Sequence, residues 1–331
     1  MSSHAIDVHA HFFPEPYLKL IELEGASFGA SVDRNNSKGP ALRTAGSGTP
    51  PLDPTYFDVD LRVKAMNRAG VQVHALSLTA PMVYWAGPDL GTRLARAYND
   101  ATAEAHRAYP DRFVGCAMLP LQDPGLALEE LERAAKLPGV RGVYMGTNVN
   151  GRELSDPAYA PIFARCEALR LPVLLHPINV IGAERLKPFY LNNLLGNPFD
   201  NAIAAAHFIF GGVLDRFPKL NVVLPHAGGA FPYLAGRLAR GQKVRPETKT
   251  AKKPVMSYLR RFHYDTISHE PRALKYLVDT VGVDRVCVGS DYCFDMGYER
   301  PRAIVEKGLS LRASDREKIL RGNAARLLGL R

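Results

Sequence analysis

Apolar residues along this chain gather in short, β-branched runs separated by longer stretches in which apolar positions recur every three or four residues. Such an alternation of strand-length and helix-length patterns is the mark of repeated βα units. Eight runs read as strands: 5–9, 71–78, 113–119, 140–145, 172–176, 221–226, 262–266 and 286–290. Eight is the number that closes a parallel barrel, so the expected fold is α/β, a (β/α)8 TIM barrel. Asp123-Pro124, Asp156-Pro157 and Glu270-Pro271 each place a carboxylate before a proline, a helix-opening signal. Ser314 is expected to cap a last helix running towards Leu328, and 61–68, 90–108 and 202–217 also carry helical periodicity.

One stretch breaks the rhythm. Residues 12–54 are rich in Gly, Ser, Asn and Pro and too long for an ordinary connection. Following the first strand, they fall on the C-terminal face of the barrel, where such folds build active sites. The expectation is a single barrel domain over residues 1–331, with 12–54 as an inserted lid or small subdomain.

Polar residues at the ends of the runs carry the chemistry. His9 and His11 stand two apart at the end of the first run, and side chains two apart on a strand point the same way. His176 closes the fifth run, His226 the sixth and Asp291 the eighth. Each histidine alone is more simply a hydrogen-bonded structural residue, but together the strand ends of a barrel surround one mouth. Imidazole and carboxylate suit zinc and related divalent ions, so the five read as a mononuclear metal site of hydrolase or lyase type. Phe12, Phe13, Tyr84, Trp85 and Phe294 follow strand ends and read as aromatic pocket walls or as packing. The run 140–146 leads into Thr147 and Asn148 with no lysine, which favours one metal over two.

Composition narrows the class further. Hydrophobic content of 46% and charged content of 23% are those of a soluble globular enzyme. No apolar run approaches the roughly 20 residues of a membrane helix, so no membrane partner is expected. The chain passes from Met-Ser-Ser into a polar-studded strand without an apolar signal region, and a cytoplasmic protein is expected. Four cysteines without a CxxC pair indicate neither zinc ribbon nor disulfide framework. The net charge of +9 is densest between Arg237 and Arg261, a stretch matching no nucleic-acid module. An acidic small molecule is the expected partner, and nucleic acid is not.

Asp7-Val-His9-Ala-His11-Phe-Phe-Pro, Leu175-His176-Pro177, Pro225-His226-Ala-Gly-Gly-Ala-Phe and Gly289-Ser-Asp291-Tyr resemble the amidohydrolase superfamily. The nearer likeness is to its branch of non-oxidative decarboxylases typified by aminocarboxymuconate-semialdehyde decarboxylase. It extends through Met66-Asn-Arg-Ala-Gly70 and the closing Gly322-Asn-Ala-Ala-Arg-Leu327. The resemblance implies one zinc ion per chain, with manganese an alternative, held by His9, His11, His176 and Asp291. It implies His226 as the base that activates a metal-held water, and Asp291 as proton carrier. The implied reaction is decarboxylation of an aromatic or ring-cleavage-derived carboxylic acid; the alternative is hydrolysis of an amide, ester or lactone with the same ligands. A non-catalytic binder of anions that kept the fold is a third reading, which the intact ligand set argues against.

Arginines hold the substrate carboxylate in that family. Arg237 falls where one is donated by a neighbouring subunit, which implies a homodimer; as a residue of this chain alone it reads as an exposed helix arginine. A second family arginine has no counterpart, Thr49-Pro-Pro-Leu52 standing in its place with Arg43 and Lys38 nearby. Trp85 and Phe294 complete the expected substrate contacts. Cys293 stands where the family commonly has proline, as a structural residue or, less simply, a soft ligand.

Overall fold

Seven of the eight runs pair into one parallel sheet in the computed structural model, which describes residues 4–46 and 48–330. Its strands are β1 (Ala5–His11), β2 (Val71–Ser77), β3 (Phe113–Met118), β4 (Val140–Gly146), β5 (Val173–His176), β6 (Val222–Leu224) and β7 (Phe262–Tyr264), neighbours in sequence being neighbours in space. All are buried along their length apart from Gln72 and Arg141, as strands covered on both faces must be. β1 continues to His11, so both histidines belong to the strand and do not follow it.

The eighth run is not a regular strand. Segment 286–292 touches β7 through the bridge Tyr264–Val286 and β1 through Asp7–Val288 and Ala10–Tyr292, all parallel. The Cys287 N–H donates to Tyr264 O at 2.8 Å, and the Val8 N–H to Val288 O at 2.9 Å. Both edges of the sheet are thereby joined and the sheet curls shut. The irregularity has a local cause: Asp291 sits at φ 60, outside the strand region. At Gly289, a Cβ would lie 2.7 Å from the Asp265 Cβ, so only glycine allows this close approach.

Helices fill the connections. Asp123 accepts from the Gly125 and Leu126 N–H groups at the start of Pro124–Ala134, and Glu270 from the Arg272 N–H at the start of Pro271–Val281. Each such cap is worth about 1 kcal/mol. Asp156 caps the short 3-10 turn Pro157–Tyr159 that leads into Ala160–Leu169. Two expectations are corrected. Ser314 lies inside a helix that begins at Ala313, and its path to Leu327 is interrupted by the π turn Lys318–Gly322. The pattern 202–217 is two helices, Asn197–Phe210 and Val213–Arg216, because Gly212 at φ 69 turns the backbone left-handed between them.

Within 12–54, the stretches 15–24 and 31–43 are more ordered than the composition suggests. Glu15–Glu24 is a helix that buries Tyr17, Leu18 and Ile21 and packs on Pro88–Ala108. An antiparallel hairpin, Ser31–Asp33 with Ala41–Arg43, follows, and Arg34 ties back to Glu15 at 2.6 Å and to Glu22 at 2.5 Å. Among the described residues no helix is long and apolar enough to cross a membrane.

Candidate metal centre

Strand ends deliver the polar groups to one place. His9, His11, His176 and Asp291 are all buried, and one ligand atom from each lies within 4.8 Å of the others. The two imidazoles of β1 present Nε2 to each other at 3.1 Å. Asp291 Oδ1 lies 2.9 Å from His11 Nε2 and 3.5 Å from His9 Nε2. The His176 ring, from the end of β5, stands 5.4 Å from that of His9 and 5.0 Å from that of His11, centroid to centroid. His226, just past β6, is the fifth member, 5.3 Å from His9 and 5.6 Å from His176 between ring centroids.

The donor set fits a divalent ion. The Asp265 carboxylate accepts from His9 Nδ1 at 2.8 Å, leaving His9 Nε2 to offer its lone pair inward. Ser77 Oγ, which donates to Ala10 O, is 3.1 Å from His11 Nδ1 and fixes the second ring the same way. Two nitrogen lone pairs and a carboxylate oxygen thus converge, an arrangement that repels itself unless a positive charge sits among them. His9 is raised above the ordinary histidine value, Asp265 and Asp291 outweighing a burial that works against it. Burial pushes His11 down to about 4. Burial alone would raise the Asp291 carboxyl, but the bond to His11 and the field of His9 hold it below the usual range. An ion with ligands at about 2.1 Å in a tetrahedral set holds neighbouring ligand atoms roughly 3.4 Å apart, and the separations among His9, His11 and Asp291 are 3.1, 2.9 and 3.5 Å.

His226 is held differently. Asn201 Nδ2 lies 3.1 Å from Pro225 O and 3.2 Å from His226 Nδ1, so its two hydrogens serve both. With Nδ1 accepting, the proton of the neutral ring sits on Nε2. Burial first, then His9, lowers the His226 pKa and keeps the ring neutral. Asp291 Oδ2 has no hydrogen-bond partner among the described residues, and Asp291 borders both cavities described below.

Two residues that motif reading passed over organise this floor. Asp265 holds the His9 ring, and its two oxygens also accept from the backbone N–H groups of His226, Ala227 and Ile267 at 3.0, 2.8 and 3.0 Å. Its signal was available, since it stands in the seventh apolar run as His176 and His226 stand in theirs. Arg62 is fully buried, donates to the His11 carbonyl and lies 3.4 Å from Cys293 Sγ. Cys293 lies outside the ligand cluster, and burial pushes its thiol up to about 11.

Above the floor lie two adjoining cavities of about 680 and 380 Å³ that share Asn193, Asn197, Asp291 and Met296. The larger runs past His226 and Ile267 to Arg272, Tyr233 and Tyr276. The smaller is bounded by Thr79, His176, Tyr190 and Phe294, and by Gly46, Gly48 and Pro50 of the inserted segment. Phe294 stands 5.4 Å from the His11 ring, centroid to centroid. Trp85 lines neither cavity; its Nε1 donates to Met82 O, and its ring faces Phe28. Phe12, Phe13 and Tyr84 are core residues. Arg237 is exposed on helix Phe231–Val244 and lines neither cavity of its own chain. Arg43 is occupied by Thr49 O at 2.8 Å, and His269, an exposed residue, borders the larger cavity.

Known proteins are similar to this chain in sequence and fold. The family model described as amidohydrolase matches residues 6–330. The 2-amino-3-carboxymuconate-6-semialdehyde decarboxylase of Dictyostelium discoideum is 35% identical over 329 residues, covering 98% of this chain and 91% of that protein. The crystal structure of 5-carboxyvanillate decarboxylase from Sphingomonas paucimobilis superposes with a TM-score of 0.85 at 26% identity, covering both chains completely. A dihydroxybenzoic acid decarboxylase from a Polaromonas species, solved with manganese and the inhibitor 2-nitroresorcinol, gives a TM-score of 0.79 at 26% identity, covering 99% of this chain and 97% of that one.

Proposed function

The chain belongs to the amidohydrolase family, and on that premise we propose that it is a metal-dependent, non-oxidative decarboxylase of an aromatic or ring-cleavage-derived carboxylic acid. The observation that carries this reading is the convergence of three imidazoles and one carboxylate beneath a cavity wide enough for a planar acid. The relatives above are decarboxylases, and one of them holds manganese. His9, His11, His176 and Asp291 would hold one ion, zinc or manganese, and the ion would supply Lewis acidity and positive charge to the bound acid.

The chain's own residues supply the proton chemistry. Loss of carbon dioxide breaks the bond from the ring or chain carbon to its carboxylate and puts a proton on that carbon. His226, neutral at rest, takes a proton from water and only then, as imidazolium, gives one up from Nε2, the hydroxide left behind combining with the released carbon dioxide as bicarbonate. Asp291 has Oδ1 turned to the histidines and Oδ2 uncommitted, which suits it to carry a proton between His226 and substrate. Phe294 walls the smaller cavity beside His11 and offers a face to a flat substrate. Gly46, Gly48 and Pro50 on that wall support the reading of 12–54 as a lid. Arg237 would reach a substrate only from a second copy. Tyr233, 83% exposed one turn before it on the same helix, and Phe189, 86% exposed, support a homodimer that covers them. Four free cysteines accord with a reducing, cytoplasmic setting.

Carbon dioxide release is the test. The zinc- or manganese-loaded protein is offered a panel of hydroxybenzoates, vanillates and muconates, and release from at least one is expected. Hydrolysis of lactones or amides with silence across that panel would replace this reading with the hydrolase one. His226→Asn should keep its metal by elemental analysis and lose about 10²- to 10⁴-fold in turnover. Loss of metal together with activity would make His226 a ligand.

A further inference from the structure

Asp291 faces the three histidines from a backbone conformation that its neighbours must enforce. Its φ of 60 lies in the left-handed region, which a residue with a side chain enters at a cost. Packing does not supply the restraint. Asp291 borders the two cavities above the floor, whereas Ser290 and Tyr292 border a third, of about 370 Å³, against helix Val59–Ala69. The turn is therefore a thin partition with open space on either side. The sheet does not hold it fully either. Between the bridges at Val288 and Tyr292 the ladder to β1 is broken, and the Ser290 N–H meets no carbonyl of that strand.

One buried side chain takes the place of the missing carbonyl. Asp7 Oδ1 accepts from the Ser290 N–H at 3.1 Å and from the His9 N–H at 2.9 Å, and Oδ2 accepts from the Ser290 hydroxyl. Ser290 Oγ in turn accepts from the Tyr292 N–H at 3.1 Å, and the Asp291 N–H donates to His9 O at 2.9 Å. The main-chain donors on both sides of Asp291 are thus satisfied through Asp7 and Ser290, directly or at one remove. We propose that Asp7, acting through Ser290, is the positioning residue that aims Asp291 at the metal and keeps it in register with His9. The inference rests on the reading of His9, His11, His176 and Asp291 as ligands, and not on which reaction follows. With the Ser290 hydroxyl removed, the turn is free to relax towards an ordinary backbone, because the spaces on either side leave it room. Asp291 then swings away while the histidines stay in place.

Cobalt(II) tests this without turnover, because its visible absorption reports the number and arrangement of its ligands. The metal-free protein is titrated with cobalt(II) against a chelator, and the spectrum of the loaded protein is recorded. Ser290→Ala, which leaves Asp7 on the His9 N–H, is expected to weaken cobalt about 10-fold and to change the spectrum as the carboxylate leaves the ligand set. Asp7→Asn should weaken it about 10- to 100-fold. Ser290→Thr keeps the hydroxyl, has the third cavity to take its methyl group, and should bind cobalt as the parent does. A bond that serves the fold alone predicts another pattern. A Ser290→Ala protein that melts earlier without metal, yet binds cobalt with the parent's affinity and spectrum, overturns the assignment. A Ser290→Thr protein as weak as Ser290→Ala does the same. A parent that takes up no cobalt removes the metal reading and this inference together, whereas variants that match a metal-binding parent remove this inference alone.

Discussion

The floor of the barrel and its rim obey different physics. On the floor every residue of β1 is buried, and each ring of the cluster is held by at least one further group: His9 by Asp265, His11 by Ser77, His176 by Thr79, His226 by Asn201. At the rim, segment 181–199 carries Ile181, Phe189, Tyr190, Leu194, Leu195 and Phe199 exposed, with Phe189 and Tyr190 at φ 57 and 60 and a π turn over Asn192–Gly196. One region is over-determined, the other sparsely held. Chemistry common to a family needs the first. Recognition of a particular substrate, and contact with another subunit, can be written in the second at little cost to stability.

Three measurements would break or sharpen this contrast. The largest effect is expected from Asp265→Asn, which removes the charge behind His9 and weakens the bonds to the backbone of 226 and 227. Metal affinity should fall about 10- to 100-fold, read by competition with a chelator. An unchanged affinity would mean that the floor is not organised through Asp265. Next comes acid sensitivity. His263, on β7, is buried, and that burial, helped by Arg285, pushes its pKa down to about 4. The folded ring stays neutral while the unfolded one takes up a proton near 6.5. Its contribution is therefore full above pH 6.5 and is lost as pH falls towards 4. Between pH 7 and pH 5 this should cost about 2 kcal/mol in urea denaturation. His263→Gln should flatten that slope, and an equally steep profile in the variant would assign it elsewhere. Smallest is the rim: Phe189→Ser should change stability by less than about 0.5 kcal/mol. A larger loss accompanied by a shift from dimer to monomer in light scattering would show the rim bound into an interface.

Most of the floor could be read from the chain because strand ends of a barrel converge whatever their separation in sequence. His9, His11, His176 and Asp291 each close an apolar run, and the structure gathers their ligand atoms. Asp265 obeys the same rule and was passed over because it belongs to no recognisable motif. The closing run failed as a strand for a reason no propensity contains, namely that 286–292 must bond to β7 at one end and β1 at the other while turning Asp291 inward. The helix Glu15–Glu24 was hidden by the Gly, Ser and Pro that follow it, although Tyr17, Leu18 and Ile21 mark its buried face.

Asp265 has one further consequence. Because a single carboxylate grips the ring of His9 and the main chain at 226 and 227, the choice of ion and the placement of the acid–base residue are mechanically geared to each other. A lineage that adapted this pocket to a larger or smaller cation by moving His9 would drag His226 with it. Metal preference and catalytic rate should therefore drift together under selection, and a swap of one without retuning of the other would need a change at position 265.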